Sequence, residues 1–284
     1  MEGITYNMEI INKLNSINNI GQGIVGEDPD SWSKRMELDH PFELSKNKLE
    51  RNDLKKICAD PKNSNMYCYL NIMAWGGQGS GPGGRKNVQI PWNYFNDKIN
   101  DKIEKLRIGN LSREDSFNLF CGNEKIKGLG PSYFTKLLYF FDNFNKENMY
   151  IMDQWTTKPI LLLTNLNIIK HNDFGPSHNN VGKNYNIFCR IIDDLIDILK
   201  LTNGYEVEEK LFSVGSIKRK PRGEFRQYVI DNWDQMKPKE RYNDKLVENL
   251  ISKLRTDGNI DFKNSSKQIS KSIEFAVSNN CYFC

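Results

Sequence analysis

The chain has little of what metal centres, membrane spans and disulfide scaffolds are made from. Only three histidines occur in 284 residues, His40, His171 and His178, and none stands at metal-ligand spacing from another. The six cysteines, at 58, 68, 121, 189, 281 and 284, are scattered except for the last pair, so no disulfide framework can be read and reduced thiols are expected. "CYFC" at 281–284 has no second half to complete a tetrahedral zinc site, and Tyr282 and Phe283 are not the aliphatic residues of a prenylation box. No run reaches the roughly 18 apolar residues that a membrane span needs. No apolar signal segment opens the sequence, and a soluble, cytoplasmic protein without membrane, metal or cofactor is expected.

A large excess of one charge is also missing. The 40 Lys and Arg against 36 Asp and Glu leave a formal charge of +4. Such a balance permits nucleic-acid binding without requiring it, so the case must rest on where positive charge clusters. Alternating strand patterns are few as well. What is present is helical period. "LSREDSFNLF" places Ser112 three residues before Asp115, an N-cap arrangement, ahead of Phe117 and Phe120. "YNIFCRIIDDLIDILK" sets Ile187, Phe188, Ile191, Ile192, Leu195, Ile198 and Leu199 at helical spacing, and "DKLVENLISKLR" and "SKQISKSIEFAV" read as two more amphipathic helices. The expected class is mainly α, with few or no strands. At 38% hydrophobic and 11% aromatic content the chain can bury a sizeable core, as one large or two small domains.

Two glycine-rich stretches stand out. "WGGQGSGPGGRKNVQIPW", residues 75–92, is not a phosphate loop, because Gly84 is followed by Arg85 and Lys86 rather than by Lys and a hydroxyl residue, and no oily helix is expected next. It reads either as a flexible surface loop or as a loop, flanked by Trp75 and Trp92, whose backbone approaches a ligand closely. The second stretch is "IKGLGPSYFTKLLYFF", residues 126–141. Gly128-Leu129-Gly130 permits a tight turn with positive φ, the expectation extending to Gly130, and Pro131 suits the first position of a helix. A hairpin feeding a helix N-terminus gathers unpaired N–H groups and the positive end of the helix dipole, a site for a phosphate that reads no sequence.

In the helix that follows, Phe134, Leu137, Leu138 and Phe141 fall within one arc of about 100°. Ser132 and Lys136 stack on the opposite side, which leaves Lys136 either an ordinary solvated lysine or a cation above a phosphate site. Asp153 follows 17 residues later among Ile151, Met152 and Trp155, an apolar setting that would hold a carboxylate partly desolvated.

These residues resemble the helix-hairpin-helix DNA glycosylases, and within them the 8-oxoguanine DNA glycosylase branch. In that superfamily a hairpin of the form Leu-Pro-Gly-Val-Gly binds the DNA backbone, a lysine near the next helix start attacks the sugar, and an aspartate some twenty residues on is essential to catalysis. The hairpin here is Lys127-Gly128-Leu129-Gly130 and the matching carboxylate is Asp153. Ser132 occupies the usual lysine position, and Lys136 lies one helical turn further in. Either Lys136 reaches the sugar from that turn, or no lysine nucleophile exists and only the glycosidic bond is cleaved. "AWGG" at 74–77, "TKLLYF" at 135–140 and "EEKLFSVG" at 208–215 are similar to bacterial proteins of this fold, so the resemblance spans roughly residues 70–215. The four-cysteine iron–sulfur loop of some relatives is absent.

The resemblance implies a helix-hairpin-helix glycosylase core over 66–234, an N-terminal helical segment over 1–65 and a C-terminal helical extension over 235–284. It implies a monomer that acts on double-stranded DNA, excising a modified base that is 8-oxoguanine-like or a mark of foreign DNA. Asp153 would stabilise positive charge on the sugar and Lys136 would be the nucleophile. Lys127, Gly128, Gly130 and Ser132 would meet the DNA backbone, and Trp75, Trp155 and Phe140 would wall a pocket for the flipped base or serve in the core. "SIKRKPRGEFR" carries Lys218, Arg219 and Lys220 and is either a solvated linker or a phosphate-binding segment. The alternative function is a noncatalytic helix-hairpin-helix DNA-binding protein, which has no need of a carboxylate beside its hairpin.

Overall fold

The computed structural model describes residues 4–17, 26–80, 83–142, 147–166, 168–172, 175–212 and 224–236. The helices expected near 244–255 and 266–277, and the basic residues Lys218, Arg219 and Lys220, lie outside them. Twelve α-helices, a π-helical turn at Phe95–Ile99, a 3-10 turn at Gly122–Glu124 and one antiparallel pair of two-residue strands make up the regular structure among the described residues, a mainly α fold. In order they are α1 Met8–Ser16, α2 Pro29–Met36, α3 Arg51–Ala59, α4 Asn65–Trp75, α5 Lys86–Asn93, α6 Asn100–Ile108, α7 Arg113–Asn118, α8 Pro131–Phe140 and α9 Gln154–Thr164. The strands β1 His171–Asn172 and β2 Gly175–Pro176 precede α10 Gly182–Ile198, α11 Gly204–Phe212 and α12 Glu224–Met236. Residues Met1–Gln235 form one compact unit that includes the 1–65 segment. No helix among the described residues is long and apolar enough to cross a membrane.

Helix α4 is apolar on every side, as "NMYCYLNIMAW" dictates, and such a helix belongs in the interior. It packs against α2, α3, α6 and α8. The far side of α8 closes on an aromatic cluster in which the Phe134 ring stands 4.9 Å from Phe117 and 5.1 Å from Phe120, with Tyr185 of α10 stacked 4.9 Å from Phe117. Helix α8 is therefore buried nearly all round, and the side opposite its oily arc is a second interior face rather than a solvated one. Cys58, Cys68, Cys121 and Cys189 are buried free thiols.

The hairpin sits against the glycine-rich stretch. Lys86–Asn93 is helical despite Pro91, but it buries only Val88 and Pro91 and is not the oily helix of a phosphate loop. The positive φ of the hairpin belongs to Gly128, at +87°, whereas Gly130 has φ −76° and ψ 173° and is the extended N-cap of α8. The expectation for Gly130 was thus misplaced by two residues. The reason is steric: Gly128 crosses α5 so closely that a Cβ there would stand 2.5 Å from the Asn87 carbonyl oxygen and 2.9 Å from Pro91 Cδ. The Gly128 carbonyl in turn accepts a hydrogen bond of 3.1 Å from Nε2 of Gln78, a fully buried side chain of the glycine-rich stretch. Gly128→Ala combines a left-handed backbone with a backbone collision and is expected to destabilise the protein by about 3 kcal/mol. Gly130→Ala, whose Cβ would meet nothing nearer than His178 Nε2 at 3.4 Å, is expected to cost less than half as much. Chemical denaturation of the two variants checks the order.

Candidate active site

Lys136 and Asp153 line one cleft, together with Trp75, Gly76, Arg51 and Glu208. The aspartate, itself extended, arrives on a run, 148–153, without regular secondary structure. Its amides are satisfied by side chains from the surrounding helices instead of by a neighbouring strand. The Tyr150 amide donates to Tyr185 Oη at 3.0 Å, the Ile151 amide to Glu208 Oε1, the Met152 amide to Thr135 Oγ1 at 3.0 Å, and the Asp153 amide to Thr156 Oγ1 at 3.1 Å. Thr135 also donates to the Pro131 carbonyl at 2.6 Å, so the residue beside Lys136 pins the segment that carries Asp153.

Asp153 is the N-cap of α9. Its Oδ1 accepts from the Trp155 amide at 2.7 Å and the Thr156 amide at 3.0 Å, which fixes the carboxylate and leaves Oδ2 outside the cap. Lys136 reaches the cleft from the second turn of α8 and is only 7% exposed, so it is not an ordinary solvated lysine. Its ammonium donates to the Ser132 carbonyl and lies 5.1 Å from the centre of the Tyr133 ring. Burial pulls the amine down from the ordinary lysine range; Asp153 and Glu208 oppose that pull, and Arg51 adds to it. A neutral amine is the nucleophilic form.

The lysine needs the glycine opposite it. A Cβ on Gly76 would stand 2.7 Å from Lys136 Cδ and 2.9 Å from Cε, while Gly76 itself has ordinary helical angles of φ −70° and ψ −6°. Gly76→Ala therefore adds no backbone strain and acts through the displaced lysine. If Lys136 takes part in the chemistry, the variant is expected to lower activity by about tenfold to a hundredfold with duplex affinity unchanged, a split read by single-turnover kinetics beside a binding titration.

Behind the lysine stands a buried ion pair. Arg51 Nη1 lies 2.6 Å from Glu208 Oε2, and the guanidinium packs over the rings of Tyr139, Tyr205 and Trp75 at 4.7, 4.4 and 5.4 Å. Burial pushes the Glu208 carboxyl up, against the pull of Arg51 and the Ile151 amide.

The remaining candidates fall in different places. Trp75 lines the cleft, and Phe140 meets it edge-on at 5.1 Å from the core without reaching the cleft lining. Trp155 is half-buried beside Arg226, 4.1 Å from its ring, away from the cleft lining. Lys127 is exposed on the hairpin, and Ser132 gives its carbonyl to Lys136. Among the described residues no group of three or more His, Cys, Asp or Glu could hold a metal.

Residues 18–212 match the family model described as "Putative 8-oxoguanine DNA glycosylase OGG-like protein". The chain belongs to this OGG-like family. Searches of curated proteins and of solved structures gave no match. The family region of the OGG-like chain starts well before residue 70, so most of the N-terminal segment that has no counterpart in the sequence motifs falls inside it. That extension covers α3, which delivers Arg51 to the cleft. It ends at Phe212, the last residue of α11, and so includes the hairpin, Lys136, Asp153 and Glu208. Sequence reading misses Arg51, Glu208 and Thr135. For Glu208 the signal is its place at the head of the family-like stretch "EEKLFSVG".

Proposed function

We propose that this OGG-like protein is a DNA glycosylase and lyase that excises a modified base from duplex DNA, with Lys136 as nucleophile and Asp153 as the carboxylate beside the sugar. The observation that carries the reading is a buried lysine amine, held down from its ordinary protonation range, lining the same cleft as a rigidly capped aspartate.

The chemistry follows from these two groups. As the base departs with the electron pair of the C1′–N bond and gains a proton, positive charge builds on the deoxyribose, and Asp153 stabilises that charge more than it stabilises the ground state. The neutral Lys136 amine gives its lone pair to C1′. Transfer of an amine proton to the ring oxygen opens the sugar and leaves an imine between Nζ and C1′. Loss of a C2′ proton then expels the 3′ phosphate. The base must first leave the helix stack, and Trp75 offers an aromatic wall for it. The hairpin, with Lys127 exposed and the N-terminus of α8 behind Gly130, is the element suited to the flanking phosphates.

Oxidised guanine is the first base to test because the family description names it, and a modified base of foreign DNA is the second. Incubating the purified protein with duplexes that each carry one modified base is expected to give release of one base and, with borohydride, a covalent complex on the same duplex. Duplex binding without release of any base would support the binding-only alternative. Binding is expected to weaken with salt along a log–log slope of several units, and replacing Lys218, Arg219 and Lys220 by Ala is expected to flatten it by roughly 0.9 for each phosphate no longer neutralised. An unchanged slope would remove that segment from the interface.

A further inference from the structure

The ion pair at the back of the cleft lines it beside both proposed reacting groups and holds the backbone two residues before one of them. Glu208 of α11 uses Oε2 for Arg51 of α3 and Oε1 for the Ile151 amide, two residues before Asp153. Arg51 and Glu208 line the same cleft as Lys136, and the three rings around the guanidinium hold it there. A buried pair of this kind adds little net stability over an apolar pair of the same volume, so its presence behind a titrating amine calls for another reason. We propose that Arg51 and Glu208 are positioning residues that hold the Asp153 segment in register and balance the charge around the Lys136 amine. The inference builds on the reading of Lys136 as nucleophile.

The charged groups facing Lys136 are few and act in opposite senses. Asp153 ahead of α9 and Glu208 on α11 favour the ammonium; Arg51 on α3 disfavours it. Tyr133 and Tyr139, on the lysine's own helix, are held protonated by burial, and the end of α4 offers only Trp75, Gly76 and Gly77. Removing one member of the pair therefore leaves the other uncompensated beside the amine. A brace without an electrostatic role would change stability and leave the titration of Lys136 where it is.

The test is the ¹⁵Nζ chemical shift of Lys136 as a function of pH in the full ¹⁵N-labelled chain, assigned by its absence in Lys136→Gln. Glu208→Gln, which keeps shape and hydrogen bonding, is expected to lower the midpoint by about one pH unit, and Arg51→Gln to raise it by about as much. Arg51→Lys and the double variant Arg51→Gln/Glu208→Gln should return it close to that of the parent. Should Arg51→Gln fail to fold, Glu208→Gln and the double variant still decide the sign. The acid limb of borohydride trapping on abasic duplex is expected to move with the midpoint. Midpoints that stay fixed, or that all move one way, overturn the inference. Midpoints that move as stated in a protein that never forms the covalent complex would uphold the charge balance and overturn the nucleophile reading, so the two failures are distinct.

Discussion

Asp153→Asn is expected to reduce base release by about a hundredfold to ten-thousandfold while duplex affinity holds or rises. The variant isolates charge from structure because of where Asp153 stands. As the N-cap of α9 it accepts from two amides through Oδ1, and asparagine caps a helix as well as aspartate does. The fold should lose no more than the few tenths of a kcal/mol owed to a carboxylate at a helix N-terminus. What disappears is the negative charge that the proposed mechanism places beside the sugar as that ring becomes cationic. Single-turnover release on the preferred duplex, beside a thermal melt, measures both quantities. Unchanged release would remove Asp153 from the chemistry.

Lys136→Met is expected to abolish the covalent complex and at the same time to raise the melting temperature at neutral pH by roughly 2–4 °C. The sign follows from linkage. Burial depresses the folded-state protonation of Lys136, so between its lowered midpoint and the ordinary lysine range the unfolded chain binds more protons than the folded one. Stability therefore increases as pH rises towards that range. At neutral pH the buried lysine is a liability that methionine removes, and the gain of the variant should shrink as pH is raised. A variant that melts lower at neutral pH would show that the lysine is held there as a favourable ion-pair partner.

The residues that repeat a local pattern were legible in the sequence, and the residues that act across the fold were not. Glycines and a proline ahead of an apolar run announced the hairpin and the start of α8, and Asp153, singled out by the family resemblance, lines one cleft with Lys136. The burial of Lys136 was not visible. Helical spacing puts it opposite the oily arc, and its burial comes from elements distant in sequence, with α3 and α4 packed on α8 and α11 lining the cleft beside it. Arg51 and Glu208 are 157 positions apart, so nothing in the local pattern of either indicates the pair. Gly130 and Gly128 look alike in sequence; the close crossing of α5 decides which of them must be glycine. Phe140 and Trp75 read alike as candidate pocket walls, and depth alone separates them, because Phe140 stands behind Trp75 in the core.

The claim at the centre of this account is that Lys136 forms the bond to the sugar, and locating the covalent adduct tests it most directly. Borohydride reduction of the protein on an abasic duplex, followed by nuclease and protease digestion and mass spectrometry, should find the deoxyribose remnant on the peptide carrying Lys136 and nowhere else. A remnant on another lysine, such as exposed Lys127 of the hairpin, or excision of the base without any adduct, would contradict it.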